Sequence, residues 1–126
     1  MAVEATRRMR ASPAAAWQVL AEPDLWPSWG PTVRAVRCDD EQLRTGSTGR
    51  LQTPLGVWVP FEVVDVDPGH RWVWRVAGIP ATGHRVEPDP DGCRVTFEVP
   101  AWGVGYLPVC ELALRRIERL LGAVRA

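Results

Sequence analysis

Lysine and asparagine are missing from these 126 residues, and all fifteen cationic side chains are Arg. Both missing types use A-rich codons, so a GC-rich genome explains them without any functional selection. Charge of one sign is not in excess either. Fifteen acidic side chains balance the arginines, and the formal net charge is zero. The basic surplus of a nucleic-acid binder is therefore lacking. No apolar run approaches the roughly 20 residues that cross a bilayer. Met1–Arg10 mixes charged and apolar residues and has no signal-peptide core. These absences predict a cytoplasmic chain with no nucleic-acid partner and no membrane insertion.

Reactive side chains are also sparse. Cys38, Cys93 and Cys110 are odd in number, far apart and in no C-x-x-C pair. With His70 and His84 they fit no metal template, so neither a disulfide framework nor a metal site is expected. Ser12, Ser28 and Ser47 are the only serines, and none lies in a G-x-S-x-G elbow. No phosphate loop or G-x-G-x-x-G is present, and no cofactor is implied. Cys110 has no activating base beside it in sequence. Phe and Tyr are few, at two and one, yet Trp occurs seven times. That excess is the main positive feature. With 46% apolar and 24% charged residues, the chain predicts one globular domain over 1–126 with one hydrophobic core.

Val3–Ala11 alternates and reads as a strand with one buried face. Ser12-Pro13 then supplies a helix N-cap and first position, and Pro23 ends that helix. Asp24–Pro31 holds Trp26 and Trp29 together with two prolines and a glycine, and permits at most a short second helix. From Thr32 the period is two. Strands are expected at Thr32–Asp39, Ser47–Thr53, Trp58–Val66, His70–Ala77, Thr82–Glu87 and Cys93–Val99. Turn signals such as Asp67-Pro68-Gly69 and Gly78-Ile79-Pro80 divide them into an antiparallel meander. Leu107, Cys110, Leu114, Ile117, Leu121 and Val124 recur at helical spacing, with Glu111, Arg115, Glu118, Arg119 and Arg125 on or beside the opposite face. The helix starts near Gly105, because Pro108 is tolerated only in a first turn. At about 20 residues it spans roughly 30 Å. It is the one element large enough to cover a seven-stranded sheet. The expected α+β fold is a curved antiparallel sheet wrapped round this C-terminal helix, with two short helices after the first strand.

Three stretches carry a resemblance. Ala11-Ser12-Pro13-Ala14-Ala15-Ala16-Trp17-Gln18-Val19-Leu20, followed by Trp26-Pro27-Ser28-Trp29, resembles the opening pattern of the helix-grip, START-like or Bet v 1-like superfamily. Gly78-Ile79-Pro80-Ala81-Thr82-Gly83-His84-Arg85-Val86 is similar to the G-x-H strand of its bacterial members, which include polyketide cyclase/dehydrase and lipid-transport-like proteins. Asp91-Gly92-Cys93-Arg94-Val95-Thr96 is similar to their G-x-T-R-V-T hairpin, with Cys93 where Thr is common. The resemblance implies an internal hydrophobic cavity on a scaffold that hosts carriers, sensors, cyclases and co-chaperone modules.

Strand parity chooses the inner face. Two exposed Trp beside buried Arg would be costly, so His70, Trp72, Trp74 and Val76 should point inward. The matching sets are Val3, Ala5, Arg7 and Met9; Gly49, Leu51 and Thr53; Val59, Phe61, Val63 and Asp65; Thr82, His84 and Val86; and Cys93, Val95, Phe97 and Val99. Glu62 and Glu98 have outward parity and read as solvated. The expected ligand-contacting residues are Trp72, Trp74, Phe61, Phe97, Trp26, Trp29, Leu51, Val63, Cys110 and Leu114. Trp17 reads as core, and Trp58 and Trp102 as peripheral. Three functional readings stay open. In a cyclase/aromatase-type enzyme, His84 would be general acid/base and Arg7 would stabilise an enolate during aldol closure and loss of water. A carrier or sensor needs only the cavity and its gate, and an interaction module would use exposed Trp. The expected partner is a hydrophobic small molecule, and the chain a monomer or homodimer.

Overall fold

The computed structural model of the chain describes residues 2–125, with side chains over 3–122. The side chains of Val124 and Arg125, placed above by helical spacing, lie outside that range. Strand β1 (Ala2–Met9) leads into helix α1 (Pro13–Ala21). The Ser12 hydroxyl caps α1 by accepting from the Ala15 N–H at 3.1 Å, with Pro13 in the first turn. A 3₁₀ turn (Pro23–Leu25) and a four-residue helix α2 (Trp26–Trp29) follow. The meander then runs through β2 (Ala35–Cys38), β3 (Thr48–Gln52), β4 (Trp58–Asp67), β5 (Arg71–Val76), β6 (Ile79–Asp89) and β7 (Gly92–Pro100). A 3₁₀ segment (Ala101–Tyr106) precedes α3 (Leu107–Arg125). All seven strands form one antiparallel sheet in the order β1-β7-β6-β5-β4-β3-β2. The curved sheet grips α3, whose Cys110, Ala113, Leu114, Ile117 and Leu121 are buried in the core.

Three boundaries differ from the sequence reading. The strand expected from Thr32 begins only at Ala35, because the chain first turns at Gly30, where the Val33 N–H donates to the Gly30 carbonyl. Strand β6 is longer than expected and contains Pro80 and Pro88. Each proline sits where one neighbour has run out. β7 pairs with β6 only from Gly83 onward, and β5 pairs only as far as Arg85, so neither proline interrupts a ladder on both sides. The turn before β6 is the two-residue pair Ala77-Gly78, both at positive φ, as a tight hairpin requires. The third difference is a bulge in β4 between Val63 and Asp65. It shifts the parity, so Val66 packs on the core and Asp65 is exposed. His70, also expected inside, sits exposed at the turn.

The outer face of the sheet carries a charged network. Glu98 is not solvated as its parity suggested. It is clamped by Arg71 (2.6 Å) and Arg85 (2.6 Å), and its side chain is only 14% exposed. Arg85 also reaches Glu4 and Glu87. On the inner face Gly49 admits Phe61. A Cβ at Gly49 would fall on the Arg37 carbonyl oxygen and 2.7 Å from Phe61 Cζ. Gly49→Ala should therefore destabilise the fold by about 1–3 kcal/mol, read as a lower urea midpoint with an unchanged slope. Gly122→Ala in α3, where an added methyl meets nothing within 4 Å, should leave the midpoint unchanged or raise it.

Candidate functional site

The site begins at the end of α1. The last carbonyls of a helix lack intrahelical donors. Here Gln18 and Ala21 receive the backbone N–H groups of Glu22 and Leu43. Leu20 and Val19 receive indole N–H groups instead, from Trp26 (2.9 Å) and Trp29 (3.0 Å). These bonds hold both indoles of α2 inward over the sheet, with Trp26 1% and Trp29 6% exposed.

Beneath them, cross-strand neighbours Trp72 and His84 stack with ring centroids 3.9 Å apart. Trp26 stacks on Trp72 at 5.3 Å and 12°. Trp74 meets both Trp26 and Trp72 edge-on, and Phe97 meets His84 edge-on at 4.9 Å. Such pairs add to area burial and hold flat rings in fixed planes. His84 Nδ1 lies 3.3 Å from the Trp72 carbonyl, which can only accept, so Nδ1 carries the proton. Nε2 is then the acceptor, and the Thr82 hydroxyl donates to it at 2.9 Å. The Thr82 oxygen accepts in turn from Trp74 Nε1 at 3.1 Å. Every proton in this relay is assigned by the partners. Burial pushes the His84 pKa down to about 3, so the ring is neutral at physiological pH.

Trp26, Trp29, Trp72, Trp74, His84, Phe97 and Cys110 line an internal cavity of about 40 Å³. This is room for one or two water molecules, so the indoles nearly fill the space under α2. Leu51, Phe61, Val63 and Leu114, expected at the ligand, are buried in the surrounding core and do not line it. Phe61 stands behind the indoles, edge-on to Trp26 and Trp74. Arg7 does not reach the cavity. It lies on the edge strand β1, 42% exposed, with Nε 2.8 Å from Glu118 of α3. Its parity is inward, but the edge lets the guanidinium reach solvent. Burial raises the Cys110 thiol to about 11, so it is an apolar wall rather than a nucleophile. Trp17 is half-buried against the core, Trp58 lies under the Arg37 guanidinium, and Trp102 is exposed.

Sequence reasoning missed the rim. Thr32 and Tyr106 line the cavity and share a hydrogen bond of 2.6 Å across 74 residues. No local pattern signals such a pair. Thr82 was legible as an inward neighbour of His84, but its place in the relay was not. Thr82 and Tyr106 also line an outer apolar groove of about 400 Å³ with Ala81, Val99, Pro100 and Trp102. Only these two side chains are common to both spaces. Among the described residues no group of three or more His, Cys, Asp or Glu could hold a metal ion, and no helix is long and apolar enough to cross a membrane.

Known proteins place this arrangement. An uncharacterized Mycobacterium tuberculosis protein is 29% identical over 127 residues, covering 87% of this chain and 75% of its own. A crystal structure from Mesorhizobium loti superposes with a TM-score of 0.78 at 19% identity, covering 98% of both chains. One from Nitrosomonas europaea gives 0.77 at 20% identity, over 99% of this chain and 96% of that one. These two structures share the fold. The family described as polyketide cyclase / dehydrase and lipid transport matches residues 1–126 in full. With the helix-grip fold and an aromatic cavity under α2, that match makes this chain a member of the polyketide cyclase / dehydrase and lipid transport family.

Proposed function

We propose that this protein is a carrier or sensor that binds a bulky hydrophobic or aromatic small molecule between the sheet, α2 and α3. One observation carries the reading. The inner cavity is walled by indoles in fixed planes and has a single polar pair, Thr82–His84, in its depth. Apolar walls with few placed polar groups are the usual make-up of a small-molecule site. The resting cavity is too small for such a ligand, so loading requires the Thr32–Tyr106 rim to part. The inner cavity and the outer groove then join past Thr82 and Tyr106.

The test is thermal. Naphthalene should raise the Tm of the wild-type protein, since a ligand that binds only the folded state stabilises it. Trp72→Ala removes a stacking wall and should abolish the rise. No rise in the wild type, or an equal rise in the variant, would contradict this site.

A second reading, acid–base assisted cyclisation and dehydration, is favoured by the relay itself. His84 is neutral and its Nε2 accepts from the Thr82 hydroxyl, the arrangement of a base beside the proton it would take. Arg7 takes no part in it. If that reading holds, His84→Gln should stop turnover of a poly-β-ketone thioester while naphthalene still binds. Undiminished turnover would remove His84 from any such role.

A further inference from the structure

We propose that Trp72 sets the ligand specificity of the cavity: its indole N–H selects an uncharged molecule that presents a hydrogen-bond acceptor. This rests on the reading of the cavity as a ligand site. Four indoles line that cavity, and three have their N–H groups engaged: Trp26 with Leu20, Trp29 with Val19 and Trp74 with Thr82. The fourth, Trp72, is 1% exposed, and its Nε1 has no partner among the described residues. The ring cannot turn to find one, because it is stacked between His84 and Trp26. The other buried unpartnered atom among the described residues, Arg94 Nε, is different. It lies on the outer face, 3.9 Å from Asp89.

A buried donor left unmet is destabilising. At rest Nε1 is closed off from water as well, so the bond is made only when an incoming ligand brings an acceptor to it. A pure hydrocarbon brings none.

The sign of the acceptor follows from the rest of the lining. Among the described residues no Arg, Asp or Glu lines the cavity. Arg71 and Arg85 are held on the outer face by Glu98. His84 is neutral, with its one proton given to the Trp72 carbonyl. The Thr82 proton goes to His84. The Thr32–Tyr106 pair keeps one hydroxyl proton to spare, but at the exposed rim. A carboxylate would lose its hydration with no cation to replace it. An uncharged ring nitrogen, ether or carbonyl oxygen needs only the one donor that Trp72 offers.

The experiment compares near-isosteric probes by isothermal titration at pH 8. Naphthalene and quinoline differ by one CH replaced by N, and methyl 2-naphthoate and 2-naphthoate differ in charge. Trp72→Phe keeps a flat ring and removes the donor. The ratio of quinoline to naphthalene affinity should fall about five- to tenfold in Trp72→Phe, the worth of one hydrogen bond. In the wild type, 2-naphthoate should bind at least about tenfold more weakly than its methyl ester, since the charge goes unmatched. An unchanged ratio, or naphthoate binding as well as its ester, overturns the inference and leaves the cavity reading intact. If neither naphthalene nor quinoline binds, the cavity reading fails and this inference with it. Should Trp72→Phe not fold, the indole N–H signal of Trp72 in ¹⁵N-labelled wild-type protein decides. It should move downfield with quinoline and not with naphthalene; equal movement overturns the proposal.

Discussion

Trp26→Ala should lower the unfolding free energy by about 3–5 kcal/mol, among the largest losses available from one side chain in this fold. Trp26 is 1% exposed and touches Phe61, Trp72 and Trp74 through their rings. Truncation removes those contacts and leaves a void that a stacked, hydrogen-bonded surround cannot readily fill. It also strips the Leu20 carbonyl of its donor at the buried end of α1. That loss alone is worth about 1–3 kcal/mol. Trp26→Phe separates the two effects, because it retains most of the ring contact and loses only the bond. Trp102→Ala is the control: the side chain is 71% exposed, and the change should stay within about 0.5 kcal/mol. Urea unfolding monitored by circular dichroism measures all three. A Trp26→Ala midpoint equal to wild type would mean that α2 is not seated as described.

Acid should destabilise the protein through His84 before the carboxylates take part. The folded-state pKa is about 3, against an ordinary 6.5. Below pH 6.5 the unfolded chain binds a proton that the folded chain refuses, so stability is full above 6.5 and falls as pH drops toward 3. The slope approaches about 1.4 kcal/mol per pH unit, giving a loss of up to about 2 kcal/mol by roughly pH 5. Hydrogen bonding to Arg71 holds Glu98 below the usual carboxylate range, and Arg85 does the same for Glu87. Their contributions are present above the ordinary carboxylate pKa and disappear at more acid pH, below the pH 7 to 5 range in which His84 is read. Chemical denaturation from pH 7 to 5 should show the loss in the wild type and a flatter profile in His84→Gln. Equal slopes in both proteins would contradict a buried neutral His84.

Much of this architecture was legible because period-two alternation and a single amphipathic helix leave few ways to bury one face. Spacing, with the cost of exposing Trp and burying Arg, puts Trp72, Trp74, His84, Phe97 and Cys110 on the inner side, and all five line the cavity. The errors have local causes. The β4 bulge adds one residue, and counting by twos past it sends Asp65 inward in place of Val66. Arg7 has inward parity, but β1 pairs only with β7 and so forms an edge, which parity does not reveal. Pro80 and Pro88 read as strand breaks, although staggered strand ends give each an unpaired side. The Thr32–Tyr106 rim and the proton order of the relay depend on tertiary approach, which no spacing encodes. From sequence, the inward Trp residues read as a wall for a ligand. With about 40 Å³ left free, the indoles pack as a plug at rest and must open to serve as a wall.

The most direct test of that claim watches the indoles one by one. The seven Trp give seven indole N–H signals in a ¹⁵N correlation spectrum, assignable by single Trp→Phe substitutions. On titration with naphthalene, the signals of Trp26, Trp29, Trp72 and Trp74 should shift together and saturate. Those of Trp17 and Trp58, which do not line the cavity, should stay in place. Shifts confined to Trp58 or Trp102, or none at a saturating probe concentration, would contradict a ligand site inside the grip.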